Sequence, residues 1–249
     1  MLSLALSLGL LTALANLLGS ALAVLQRKPS RRFTAAALGL SGGFVLAAAL
    51  LEMLPESLSR GSAMPGFVAV GYLLLFLIEQ FTNVHLHNLP DDEHPLRVPL
   101  AAGFASLVAF NVHDLIDGLA IGAGMIAKPE LGILVFLSVL LHEIPAGFVI
   151  AAIVRAAGWS RWAAMAAGAS LGLVTIIGIF LPFWAWEFKP FFADALLAFA
   201  AGNFIYVGAT LLVPLSESGK SRWITLLVVL GFAIFYGSSR LVKSLFNQF

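Results

Sequence analysis

The chain has 249 residues, of which 60% are hydrophobic and 11% charged, with a formal net charge of +1 and a mean hydropathy of +0.98. So little polar surface cannot coat a soluble globule of this size, whereas a bundle of apolar helices in a lipid bilayer needs very little. The lack of cysteine excludes a disulfide framework and a thiolate metal site, and basic residues scattered over short loops argue against a nucleic-acid partner.

Apolar stretches of about 20 residues cross a hydrocarbon core of about 30 Å. Eight such stretches run over residues 2–25, 35–54, 66–84, 99–126, 131–153, 162–183, 191–214 and 223–246, which predicts an all-α, polytopic membrane protein forming one transmembrane domain over 1–249. The first is not a signal sequence in pattern, because its basic residues (Arg27, Lys28, Arg31, Arg32) follow the apolar run instead of preceding it. The odd-numbered loops carry nine Lys and Arg residues and the even loops with the C-terminal end carry five, so the positive-inside rule places both termini on the extracytoplasmic side. Segments two and seven share a faint echo, Gly43 to Pro55 and Gly202 to Pro214, each 12 positions apart. Weak internal symmetry of that kind accompanies many secondary transporters.

The fourth and fifth stretches contain His113, Asp114 and Asp117, then His142 and Glu143 beside Pro145. A carboxylate at mid-bilayer costs about 2.5 to 3.5 kcal/mol on insertion scales, and neither span holds a Lys or Arg to neutralise the three. A bound cation or protons offset that cost. On a helix, His113 and Asp117 share a face at i and i+4, while Asp114 sits about 100° round. Pro145 removes an amide hydrogen and frees the carbonyl of Leu141, so a break in the fifth helix is expected there. Two such helices, packed through the small residues Gly118 and Gly122, can surround one divalent cation with His113, Asp117 and His142, flanked by Asp114 and Glu143. Mixed imidazole and carboxylate ligation suits Zn²⁺, Fe²⁺, Co²⁺ or Mn²⁺ better than Ca²⁺ or Mg²⁺.

The run His113-Asp114-Leu115-Ile116-Asp117-Gly118 resembles the fourth-helix motif of the ZIP (Zrt/Irt-like) metal transporters, and His142-Glu143-Ile144-Pro145 resembles their fifth-helix motif. Supporting matches are Leu54-Pro55-Glu56 in segment two and Ala201 to Val207 in segment seven. The resemblance implies eight helices with both termini outside, a homodimer in the cell (inner) membrane, and movement of a divalent transition metal toward the cytosol. Zn²⁺ is the implied cargo, with Fe²⁺, Mn²⁺, Co²⁺ and Cd²⁺ as alternatives. By position, His113, Asp117 and His142 match the primary metal ligands, and Asp114 and Glu143 match an adjacent second position. This chain departs from the pattern twice. Asp114 stands where the family usually has asparagine, and Ala146 stands where it usually has a histidine or glutamate able to bridge two metals. Loss of the bridge leads to the expectation of one dominant metal position.

Glu52 and Glu79 lie near segment ends, where they either line an entry or exit path or snorkel as interfacial acids. The third loop carries His85, His87 and His94 around acidic residues, candidates for cytoplasmic metal contacts but without structural-site spacing. A rival reading is an intramembrane metal-dependent hydrolase, since His142-Glu143 begins an H-E-x-x-H pattern; Ala146 occupies the second histidine position, so that zinc site is incomplete.

Overall fold

In lipid every backbone polar group must be satisfied within the protein, and a helix does so without help from neighbours. The computed structural model describes residues 2–25, 31–82, 100–188, 190–217 and 222–246, and among them every regular element is helical. In chain order these are α1 (Leu2–Leu25), α2 (Arg31–Ala48), a π-helical turn (Ala49–Met53), α3 (Leu54–Leu58), α4 (Met64–Thr82), α5 (Leu100–Ala127), α6 (Pro129–Ala156) and α7 (Arg161–Phe188). They continue with α8 (Pro190–Tyr206), a second π-helical turn (Val207–Leu212), α9 (Val213–Glu217) and α10 (Arg222–Phe246). Seven of the resulting rods are long and apolar enough to cross a membrane, and Met64–Gln80 of α4 is a shorter apolar helix. The protein is a polytopic membrane protein. Leucines such as Leu10, Leu14 and Leu18 on α1, and Leu226, Val229 and Leu230 on α10, are exposed in the isolated chain, as expected of side chains that face lipid.

The helices associate in a mirrored pattern. α5 packs along α7 and α1 along α6, with α1–α7 and α5–α6 closing a four-helix group; α2 packs along α10 and α4 along α8. The echo between segments two and seven has a structural counterpart here. A Cβ at Gly43 would lie 1.9 Å from the carbonyl oxygen of Val228 on α10, and one at Gly202 1.9 Å from that of Val68 on α4. Each glycine is therefore followed by a π-helical turn and then by a proline, Pro55 or Pro214. Extra-wide turns of this type re-aim the helix axis and relieve the hydrogen bond that a proline cannot make.

Two sequence expectations about packing are corrected. Gly118 and Gly122 do not join α5 to α6: added Cβ atoms would sit 2.2 Å from the carbonyl oxygens of Thr175 and Ile179, so these glycines seat α5 against α7. Pro145 does not break its helix either, since α6 runs on from Pro129 to Ala156. The carbonyl of Leu141 that the proline frees is instead taken up by α2, where Ser41 Oγ donates to it at 2.9 Å. A neighbouring hydroxyl thus replaces the missing amide hydrogen, which is how membrane helices tolerate internal proline.

Candidate metal centre

The centre is built on α5 and α6, which run side by side through the four-helix group. Two sets of ligand atoms, each within 4.8 Å of one another, are assembled there: His113, Asp117 and His142, and Asp114, Asp117 and Glu143. Asp114, Asp117 and Glu143 are wholly buried and His142 nearly so. The i, i+4 spacing of His113 and Asp117 puts His113 Nε2 3.3 Å from Asp117 Oδ2, and His142 Nε2 reaches the same oxygen at 2.8 Å. The two imidazole rings lie 5.5 Å apart between centroids, tilted by 34°.

Hydrogen bonds on the far side of the ligands fix their orientation. His142 Nδ1 lies 2.9 Å from the carbonyl oxygen of Ser138, one turn earlier on α6. A carbonyl can only accept, so Nδ1 carries the hydrogen and Nε2 is left with its lone pair toward Asp117. A lone pair and a carboxylate oxygen at 2.8 Å require a proton or a cation held in common. Asp114 Oδ2 accepts from Asn16 Nδ2 of α1 at 3.0 Å and from Thr175 Oγ1 of α7 at 3.5 Å. Thr175 is held in turn by the Leu171 carbonyl at 3.1 Å. Oxygens Oδ1 of Asp114, Oδ1 of Asp117 and both carboxylate oxygens of Glu143 are buried without a hydrogen-bond partner, as is Nδ1 of His113. Unsatisfied buried acceptors cost about 1 to 3 kcal/mol each. Four of them in one place, with no Lys or Arg among their partners, is the electrostatic signature of a cation site.

The remaining candidates separate from this centre. Glu52 belongs to neither ligand group and is bound by α10, accepting from Ser239 Oγ at 2.5 Å and Lys243 Nζ at 2.7 Å. Glu79 also stands outside both groups and accepts a hydrogen bond from the Tyr206 hydroxyl of α8. His85, His87 and His94 lie outside the described residues. Ala146 packs among apolar side chains that include Phe110, Ile150 and Leu171.

Sequence reasoning missed two polar residues that the fold brings to the centre, Asn16 and Thr175, while Asn203 of α8 is expected from the sequence to pack or hydrogen-bond between helices. Asn203 is fully buried and faces His113. The signal was present in one case, because Asn16 is the sole carboxamide in a first stretch whose other polar side chains are small hydroxyls.

Comparison with known proteins gives these residues a context. The family model described as ZIP zinc transporter matches residues 89–239. The zinc transporter ZupT of Corynebacterium aurimucosum is 28% identical over 234 residues, covering 86% of this chain and 87% of that protein. ZupT of Escherichia fergusonii is 32% identical over 228 residues, again covering 86% and 87%. The zinc transporter zipt-7.1 of Caenorhabditis briggsae is 31% identical over 189 residues, 61% of this chain and 47% of the longer worm protein. A match to the family model over more than half of the chain, joined to a relative that aligns along most of its length, shows that this chain belongs to the ZIP zinc transporter family.

Proposed function

We propose that the chain carries Zn²⁺ across the cell (inner) membrane toward the cytosol through the centre between α5 and α6, as a homodimer with both termini outside. The observation that supports this reading best is the pair of ligand groups sharing Asp117, buried in a bilayer-spanning bundle with imidazoles but no Lys or Arg beside them. A hydrated dication entering the centre exchanges water for imidazole nitrogen and carboxylate oxygen, and its charge offsets the cost of burying the acids. Fe²⁺, Mn²⁺, Co²⁺ and Cd²⁺ can occupy the same donors, so selectivity depends on supply as much as on affinity.

Binding and release require the centre to open alternately to the two sides. The π-helical turns before Pro55 and Pro214 lie in segments outside the four-helix group that holds the ligands. They provide the compliant elements for that exchange. Protons that compete for the imidazoles and carboxylates weaken metal binding at low pH and aid release. The hydrolase reading falls away: the family to which the chain belongs is one of transporters.

The decisive experiment is zinc flux into sealed proteoliposomes that contain a metal-reporting dye. Wild type should fill the vesicles, while His113→Ala and His142→Ala, folded and inserted equally well, should not. Flux undiminished in both variants would sink the site assignment, and wild type that binds Zn²⁺ yet moves none would sink the transport reading.

A further inference from the structure

The acidic half of the centre is supplied by α5 and α6, yet a third helix reaches it. Asn16 of α1 is wholly buried, and its Nδ2 donates to Asp114 Oδ2 at 3.0 Å. Its other polar atom, Oδ1, has no hydrogen-bond partner. The carboxamide also faces Glu143. A buried amide oxygen without a donor is expensive, and an asparagine placed only to orient Asp114 would carry that cost for no return.

The fold goes to some length to put it there. A Cβ at Gly147 on α6 would fall 2.2 Å from the carbonyl oxygen of Asn16, and one at Gly19 on α1 would fall 2.1 Å from that of Ile144. Ser20 Oγ, one turn further along α1, donates to the Gly147 carbonyl at 2.9 Å. α1 and α6 therefore cross with backbones in contact at the level of Asn16, whose side chain extends from that crossing to Asp114.

The unpartnered oxygens in this half of the centre are then four donors from three helices: Asn16 Oδ1, Asp114 Oδ1, Asp117 Oδ1 and the Glu143 carboxylate. Asp114 and Asn16 divide their atoms in the same way, one atom of each used for the bond between them and the other left open. We propose that Asn16 is a metal ligand, its Oδ1 completing an all-oxygen cation position with Asp114, Asp117 and Glu143 beside the imidazole position of His113 and His142. This rests on the transport reading above and deepens it. Ala146 offers no bridging group, which pointed to a single dominant ion; a donor recruited from α1 makes the second position self-sufficient. With oxygen donors alone, it prefers a harder dication such as Mn²⁺, while the mixed nitrogen and oxygen position prefers Zn²⁺.

The test uses the purified full chain grown with asparagine labelled with carbon-13 at the side-chain carbonyl, loaded with one equivalent of Zn²⁺ and then with Mn²⁺. Electron–nuclear double resonance of the bound Mn²⁺ should show a carbon-13 coupling in wild type. Asn16→Asp, which keeps an oxygen but loses the label at that position, should retain bound Mn²⁺ without the coupling, and Asn16→Leu should weaken Mn²⁺ binding by at least about tenfold while Zn²⁺ binding persists. Bound Mn²⁺ without coupling in wild type overturns the proposal, as does a coupling that survives in Asn16→Asp. Zinc flux into vesicles is scored on the same preparations. Flux retained alongside an absent coupling removes the Asn16 ligand and leaves the transport reading standing.

Discussion

Among the described residues, two clusters of charged side chains are organised on opposite principles. Where α3, the Lys128 connection and the start of α8 meet, Glu56 is bound by Arg60 at 2.8 Å and by Lys128, and Arg60 reaches Asp194 at 2.6 Å and the Ala127 carbonyl at 3.2 Å. Two acids meet two bases, and nothing is left over for a ligand. In the centre, three carboxylates meet two imidazoles but no Lys or Arg, and most of their oxygens are left open. Acids paired at a bundle end fasten connections together, whereas acids left unpaired in the bilayer await a charge from outside.

The contrast yields measurements that would break or sharpen it. Asp117 is the residue common to both ligand groups, so Asp117→Ala should reduce vesicle zinc uptake by about 100-fold or more with expression unchanged; uptake within a fewfold of wild type would dissolve the distinction between the clusters. Gly147→Leu forces α1 away from α6 and should cost about 1 to 3 kcal/mol by overpacking, visible as a lower melting temperature in detergent together with weaker metal binding. Ser41→Ala leaves the Leu141 carbonyl unsatisfied and should cost a similar amount, about 1 to 3 kcal/mol, with a kinked α6 reported by spin-label distances across Pro145. Ala146→Glu should tighten the second bound equivalent in a titration without adding a third. The smallest effect belongs to the end cluster: Lys128→Met removes a half-exposed partner of Glu56 and should lower stability by at most about 1 kcal/mol, with metal affinity unaltered.

What was legible in the sequence was what lies close along the chain. His113 and Asp117 are one turn apart, and His142 and Glu143 sit in the next apolar stretch, so helix periodicity and the missing base sufficed to gather them. Asn16 and Asp114 are 98 positions apart, and their meeting depends on how deeply α1 and α6 interlock, which periodicity does not encode. The same holds for Thr175, delivered by the glycines that seat α5 on α7. Pro145 taught a related lesson: the residue announces a lost hydrogen bond, yet whether the helix breaks is decided by a hydroxyl on α2. Prolines 55 and 214, less conspicuous in the sequence, are the ones preceded by altered helical winding. The end cluster draws its members from three separate parts of the chain, and only the Glu56–Arg60 pair had a helical spacing to betray it.

Asp117 offers one oxygen to the two imidazoles, leaves the other without a partner, and belongs to both ligand groups. A single carboxylate that serves both neighbours makes the two positions thermodynamically linked, and linkage is reciprocal: whatever an ion at one position does to the affinity of the other is returned in equal measure. If both positions take dications as proposed, the sign is repulsive, because two such charges would lie close together. An arriving ion would then loosen the one already held. A centre that binds its first ion tightly enough to capture it from scarcity can still let it go quickly when a second follows, the compromise that conduction through multi-ion sites demands.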